Sequence, residues 1–209
     1  MTIHIDSIRE ANDELRSNII RTPTIQSQYL SNEVNANVFL KLENLQYTSS
    51  FKVRGAYVSI KRLKEEQKQK GVIAMSAGNH AQAVAWWAQK ERVKATIVMP
   101  EQAPLSKVMK TKSLGAEVIL KGRTLNESQT YVSELINDKK LTLIHPYDDP
   151  NVVIGQGTLG LELMEDIKNL DLLVIPIGGG GLISGTSIVA KSLNPNIKIF
   201  GVQTEKFPS

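Results

Sequence analysis

The 209-residue chain contains no cysteine. That excludes a disulfide framework, thiolate catalysis and any zinc site built on sulfur, and it suits a reducing cytoplasm, the expected location. Histidine is scarce as well. His4, His80 and His145 are the only three, and their spacing matches no metal-ligand pattern, so no metal site is expected. Long apolar runs are missing. The longest, Leu172 to Ile183, is too short to cross a bilayer and is broken by glycines. Met1 to Arg16 carries acids in place of the apolar stretch of a signal peptide. Nor is charge of one sign concentrated. The net charge is +4, and runs such as Lys61-Arg62-Leu63-Lys64-Glu65-Glu66 mix both signs as a solvated helix face does. Nucleic acid and membrane are therefore not expected partners, whereas a small anionic or phosphate-bearing molecule is compatible.

What is present is an ordinary globular composition, 41% apolar and 22% charged, in which short apolar strands alternate with helical patterns. Helices are expected near Ser7–Ile20 and Ser27–Glu33, from Lys52 onward, and at Asn79–Glu91 and Leu105–Leu114, the last with Leu105, Val108 and Met109 on one face. Further helices are expected at Leu125–Asn137, opened by the capping box Thr124-x-x-Glu127, around Gly157–Asn169, and at Leu182–Ser192. Strands are expected at Asn37–Leu42, Val72–Met75, Ala95–Met99, Glu117–Leu120, Thr142–Ile144, Leu172–Ile177 and Ile197–Val202. This alternation predicts an α/β fold with parallel sheets. His145-Pro146-Tyr147-Asp148-Asp149-Pro150 interrupts the periodicity and is the best boundary candidate.

Three motifs carry chemistry. In Ser49-Ser50-Phe51-Lys52-Val53-Arg54-Gly55-Ala56 a lysine stands at the mouth of a helix whose apolar positions Val53, Ala56, Tyr57, Ile60 and Leu63 form a stripe. Thr48, Ser49 and Ser50 offer hydroxyls to its first turn. A cation at a helix N-terminus is disfavoured, and burial lowers its pKa further, so Lys52 can supply a neutral amine that attacks a carbonyl. A lone lysine there reads more readily as a solvated surface residue, and it is the two motifs downstream that lift the other reading. In Ser76-Ala77-Gly78-Asn79-His80-Ala81-Gln82, small residues and free N–H groups at a strand-to-helix turn suit a carboxylate, although the motif taken alone reads more readily as a capped turn with a polar rim. In Gly178-Gly179-Gly180-Gly181-Leu182, four glycines follow an apolar strand, a costly arrangement that a backbone cradle for phosphate would justify. Gly155-Gln156-Gly157-Thr158-Leu159-Gly160 matches a dinucleotide fingerprint in letters only. No strand precedes it and no acid follows in place, so its glycines are read as helix-packing positions. Together the three motifs are what a pyridoxal-phosphate enzyme acting on an amino acid needs.

In these motifs, and in Arg21-Thr22-Pro23, Phe39-Leu40-Lys41-Leu42-Glu43-Asn44, Gly155-Gln156-Gly157-Thr158 and Gly201-Val202-Gln203, the chain resembles the fold-type II pyridoxal-phosphate enzymes. The likeness is to the threonine/serine dehydratases, with serine racemase as close kin. The resemblance implies two parallel-sheet α/β domains of the tryptophan synthase β-like architecture. Residues 46–146 would form the smaller, and 1–45 with 147–209 the N-terminal part of the larger. It implies pyridoxal 5'-phosphate as cofactor, held by Lys52 as a Schiff base, with Lys52 also moving the substrate Cα proton. Phe51 would pack near the ring and Asn79 would meet its 3-hydroxyl. Gly178, Gly179, Gly180, Gly181 and Leu182 would cradle the phosphate, and Ser76, Ala77, Gly78, Asn79 and His80 would grip the substrate carboxylate. The implied reaction is β-elimination from L-threonine or L-serine to a 2-oxo acid and ammonia, and the implied assembly a homo-oligomer.

Racemases of this group resemble one another in a serine at the position of Ala77. Alanine donates no proton, which favours elimination over racemisation. Sulfhydrylase relatives carry Thr-Ser-Gly-Asn-Thr in the same turn, which points away from β-replacement. Ser49 stands where the family has glycine and is strained if its φ is positive. Ala83 likewise replaces a common glycine. Relatives exceed three hundred residues, so the C-terminal third of the chain, carrying several strands and helices of the larger domain, is expected to be absent, leaving the last strand as an open apolar edge. A catalytically silent, truncated relative that binds cofactor or a partner chain is the alternative reading, and a serine racemase a further one.

Overall fold

The computed structural model describes residues 2–206. Phe207 to Ser209, where no closing helix is expected, lie outside the described residues. In chain order the elements are α1 (Ile5–Leu15), β1 (Thr24–Gln26), α2 (Gln28–Val34), β2 (Phe39–Lys41), a 3-10 turn (Glu43–Leu45), α3 (Lys52–Lys61) and α4 (Glu65–Lys70). Then come β3 (Val72–Met75), α5 (Asn79–Lys90), β4 (Ala95–Met99), α6 (Leu105–Ser113), β5 (Glu117–Leu120), α7 (Leu125–Lys139) and β6 (Thr142–Leu143). The chain continues through α8 (Pro150–Asp166), β7 (Leu172–Pro176), α9 (Gly181–Leu193) and β8 (Lys198–Val202).

The central sheet has the order β5-β4-β3-β6 and is parallel throughout, with Val72 opposite Ala95 and Thr96 opposite Glu117. Alternation along its strands divides the core into two layers. Val72, Ala74, Ile97 and Met99 face a large cluster with Ile8 and Leu15 of α1, Val53 and Ile60 of α3, Val84 and Trp87 of α5, and Ile154 and Leu161 of α8. Ile73 and Val98 face Val132 and Leu135 of α7. β7 and β8 form a second parallel pair, Leu172 opposite Lys198, and bury Leu173 and Ile175 with Ala190 of α9. Among the described residues no helix is long and apolar enough to cross a membrane.

The parallel α/β fold agrees with the expectation. The differences lie where tertiary packing outweighs local pattern. β1 is a short strand paired antiparallel with β2, Thr24 opposite Lys41, where no strand was expected. α8 begins at Pro150, seven residues ahead of expectation. Asp149 caps it, accepting from the N–H groups of Asn151 and Val152, and Pro150 has no N–H to lose at the first helical position. α3 is not a one-sided amphipathic helix: every residue from Val53 to Ile60 is buried, including Arg54 and Ser59. On α6 only Val108 of the expected apolar face is buried, while Leu105 and Met109 are exposed. The α7 cap forms, with Thr124 Oγ1 accepting from the Glu127 N–H at 3.2 Å and Glu127 returning to the N–H of Arg123 at 2.8 Å.

The glycines of α8 act in packing, as the sequence predicts. A side chain on Gly155 would run into the Arg54 carbonyl and Gly55 of α3, and one on Gly157 into Ile8 and the Gly185 carbonyl. α3, α8 and α9 therefore approach backbone to backbone. A buried ion cluster fixes the register of α3 against α8. Arg54 donates in pairs to Glu43, at 2.8 and 2.8 Å, and to Glu162 of α8, at 2.7 and 3.0 Å. Lys41 of β2 reaches Glu162 at 2.7 Å, and Thr22 donates to Glu43 at 2.6 Å.

Candidate active site

Two of the three turns of the site lie where parallel strands end and helices begin, the place at which an open α/β sheet exposes free backbone donors; the Lys52 turn follows the 3-10 turn instead. Lys52 opens α3. Its half-buried amine donates to the Pro146 carbonyl at 2.6 Å, with Nζ 5.4 Å from the centre of the Phe51 ring. Burial lowers its pKa from 10.5 to about 8, so a useful fraction of the amine is neutral near physiological pH. The turn before it is strained: Ser49 has φ +57°, the left-handed conformation that glycine adopts at least cost. Of the three hydroxyls expected to serve the first turn, that of Ser50 does so, accepting from the Lys52 N–H at 3.4 Å.

The second turn joins β3 to α5. Ser76 Oγ accepts from the Gly78 N–H at 3.1 Å, and the chain enters the helix at Asn79. Among the described residues the N–H groups of Ala77, Asn79, His80 and Ala81 have no acceptor, which leaves donors at the helix mouth able to take an anion. Asn79 is exposed, with its amide unpaired. The His80 imidazole is buried and bonds through Nε2 to the Ile144 carbonyl at 2.8 Å, which requires Nε2 to carry the proton. Burial is the main reason its pKa falls to about 4, with Lys52 and His145 adding repulsion. The ring is thus a neutral strut. What His80 offers an anion is its backbone N–H.

The third turn joins β7 to α9. Gly180 has φ +87°, and the N–H groups from Gly178 to Ile183 have no acceptor among the described residues. A Cβ on Gly178 or on Gly180 would meet only open space. Gly179 and Gly181 instead lie against Tyr147.

One segment joins all three turns. Ile144 holds the His80 ring, Pro146 holds the Lys52 amine, and Tyr147 packs on the glycine loop. The sequence marks 145–150 only as a boundary, because its carbonyls and a lone tyrosine carry no motif. Its role is visible only once β6 pairs with β3 and brings Ile144 beside α5.

A half-buried lysine of lowered pKa between two unpartnered backbone cradles fits a carbonyl-bearing phosphate ester and a carboxylate substrate. Comparison with known families matches residues 15–209 to one described as pyridoxal-phosphate dependent enzyme. The chain belongs to the pyridoxal-phosphate dependent enzymes. It is 53% identical over 208 residues to the L-threonine dehydratase catabolic TdcB of Staphylococcus aureus (strain USA300), covering 98% of this chain and 60% of that protein. It is 49% identical over 207 residues to the L-threonine ammonia-lyase of Thermotoga maritima, covering 99% of this chain and 52% of that protein. The fold matches the crystal structure of serine racemase from Dictyostelium discoideum with a TM-score of 0.93 and 41% identity, over 99% of this chain and 67% of that one. The chain thus spans little more than half the length of the curated relatives it matches. Within this family the residues present fit the cofactor: Lys52 would hold its carbonyl carbon and the loop 178–183 its phosphate.

Proposed function

We propose that the protein takes part in the pyridoxal-phosphate dependent β-elimination of L-threonine or L-serine, releasing a 2-oxo acid and ammonia. The observation that carries this reading is the Lys52 amine, pKa about 8, held by the Pro146 carbonyl at the entrance of a helix. Relatives named threonine dehydratase and threonine ammonia-lyase support the substrate class. Pyridoxal phosphate, when bound, supplies the electron sink for the charge left at the substrate Cα.

The chain's own residues do the rest. Lys52, about a tenth neutral at pH 7 by its pKa, provides the nucleophilic amine and afterwards takes the Cα proton. Phe51 flanks it, and the Asn79 amide is free to orient a ring hydroxyl. The N–H groups of Ala77, Asn79, His80 and Ala81, with the Ser76 hydroxyl, hold the substrate carboxylate and so align the Cα–H bond. The N–H groups of Gly178 to Ile183, at a helix N-terminus, hold phosphate. Ala77 has no proton to give, which favours elimination over racemisation. We also place the protein in the cytoplasm, as a homo-oligomer whose partner is a small hydroxy amino acid, with residues 46–146 as the smaller domain.

The test is reconstitution with pyridoxal phosphate followed by measurement of 2-oxo acid from L-threonine and L-serine, with chiral analysis of residual serine. Product that disappears in Lys52→Ala is expected. Absence of product, both from this chain and from one extended to the relatives' full length, overturns the reading. Accumulation of D-serine without 2-oxo acid replaces it with racemisation.

A further inference from the structure

A turn needs positive φ at one position, and Gly180 supplies it. The other glycines of the loop call for a separate cause. Gly178 faces open space, but a Cβ on Gly179 would lie inside the Tyr147 ring, striking Cγ, Cδ1 and Cε1. A Cβ on Gly181 would come within 3.1 Å of the Tyr147 carbonyl oxygen and 3.2 Å of its Cα. Gly179 and Gly181 are thus required by Tyr147. Tyr147 is itself fixed. Its ring meets the His145 ring edge-on at 4.7 Å, the N–H of Asp148 donates to His145 Nδ1 at 2.8 Å, and the preceding carbonyl of Pro146 accepts from Lys52.

We propose that Tyr147 is a positioning residue that sets the shape of the phosphate loop: its ring, seated on Gly179, holds the N–H groups of 178–183 in one arrangement. Because Pro146 carries the Lys52 contact, one rigid segment fixes the spacing between the amine and the phosphate donors. This inference rests on the cofactor reading above. No hydrogen bond ties the phenol oxygen to any described residue, so the ring and not the hydroxyl does the work.

The experiment titrates pyridoxal phosphate, and separately pyridoxal, into the protein and its variants by absorbance. Gly179→Ala is expected to weaken pyridoxal phosphate by about tenfold, the scale of an overpacked contact, and to leave pyridoxal unchanged. Removing the ring in Gly179→Ala/Tyr147→Ala relieves the clash, so the double variant binds pyridoxal phosphate about as well as Tyr147→Ala alone and better than Gly179→Ala, and Tyr147→Phe binds as the parent does. Tyr147→Ala alone trims a partly exposed side chain, which keeps the test valid if Gly179→Ala does not fold. It is expected to weaken pyridoxal phosphate selectively. A double variant no better than Gly179→Ala, or a Tyr147→Ala protein unchanged toward both compounds, overturns the inference. A parent protein that binds pyridoxal phosphate no better than pyridoxal overturns the assignment of the loop itself.

Discussion

Burying the Lys52 amine costs stability. It sits at a helix N-terminus, where the dipole opposes its charge, and it is largely removed from water. Its folded pKa of about 8 lies below the 10.5 of an exposed lysine. Below pH 8 both folded and unfolded chains carry the proton, and the fold bears the full cost of burying a cation. Between pH 8 and 10.5 the unfolded chain binds more protons, so stability rises with pH and the cost disappears. Lys52→Met is therefore expected to raise the unfolding free energy at pH 7 by up to about 3 kcal/mol while abolishing catalysis. The gain should shrink as pH approaches 10.5. Urea unfolding of both proteins across that range checks the sign, and a variant less stable than the parent at pH 7 rejects this view of the lysine. Ser49, at φ +57°, adds backbone strain three residues away.

At the scale of elements, α3 is held by charge as much as by apolar packing. Burial works against the Arg54 cation, but its hydrogen bonds and attraction to Glu43, and then to Glu162, outweigh that and raise its pKa. Buried pairs of this kind add little net stability against an apolar equivalent, yet breaking one leaves carboxylates stranded. Here two carboxylates lose the Arg54 cation together, Glu162 keeping Lys41 and Glu43 the Thr22 hydroxyl. Arg54→Met is expected to destabilise the chain by about 3–5 kcal/mol, and simultaneous Glu43→Gln and Glu162→Gln should recover part of the loss. Denaturant midpoints of the single and triple variants test this. A midpoint for Arg54→Met equal to the parent's removes the cluster from the account of how α3 and α8 are registered. Arg54 stands in the same motif as Lys52, but the sequence could not show that its partners lie 11 and 108 residues away.

At the scale of the whole molecule, the second sheet is one-sided. Leu173 and Ile175 of β7 are covered, while Val174 is 64% exposed and Phe200 and Val202 of β8 are 56% and 54% exposed. A bare apolar sheet face of this kind drives association. The isolated chain is expected to associate increasingly with concentration, and Val174→Lys with Phe200→Lys to reduce it. Sedimentation velocity at several concentrations decides, and identical behaviour of parent and variant excludes this face as the cause.

The sequence by itself determined the alternation of strand and helix, the parallel α/β class and the three motifs, because each depends on residues close along the chain. Tertiary structure decided what depends on distant partners. It buried α3 on every side, tied the His80 ring to the Ile144 carbonyl, joined Arg54 to Glu162, and drew 144–147 across all three turns. The reason is physical. Local spacing fixes backbone hydrogen bonding within a turn of helix or a strand, whereas burial, ion pairing and the fit of Tyr147 on Gly179 exist only once separate segments are packed together.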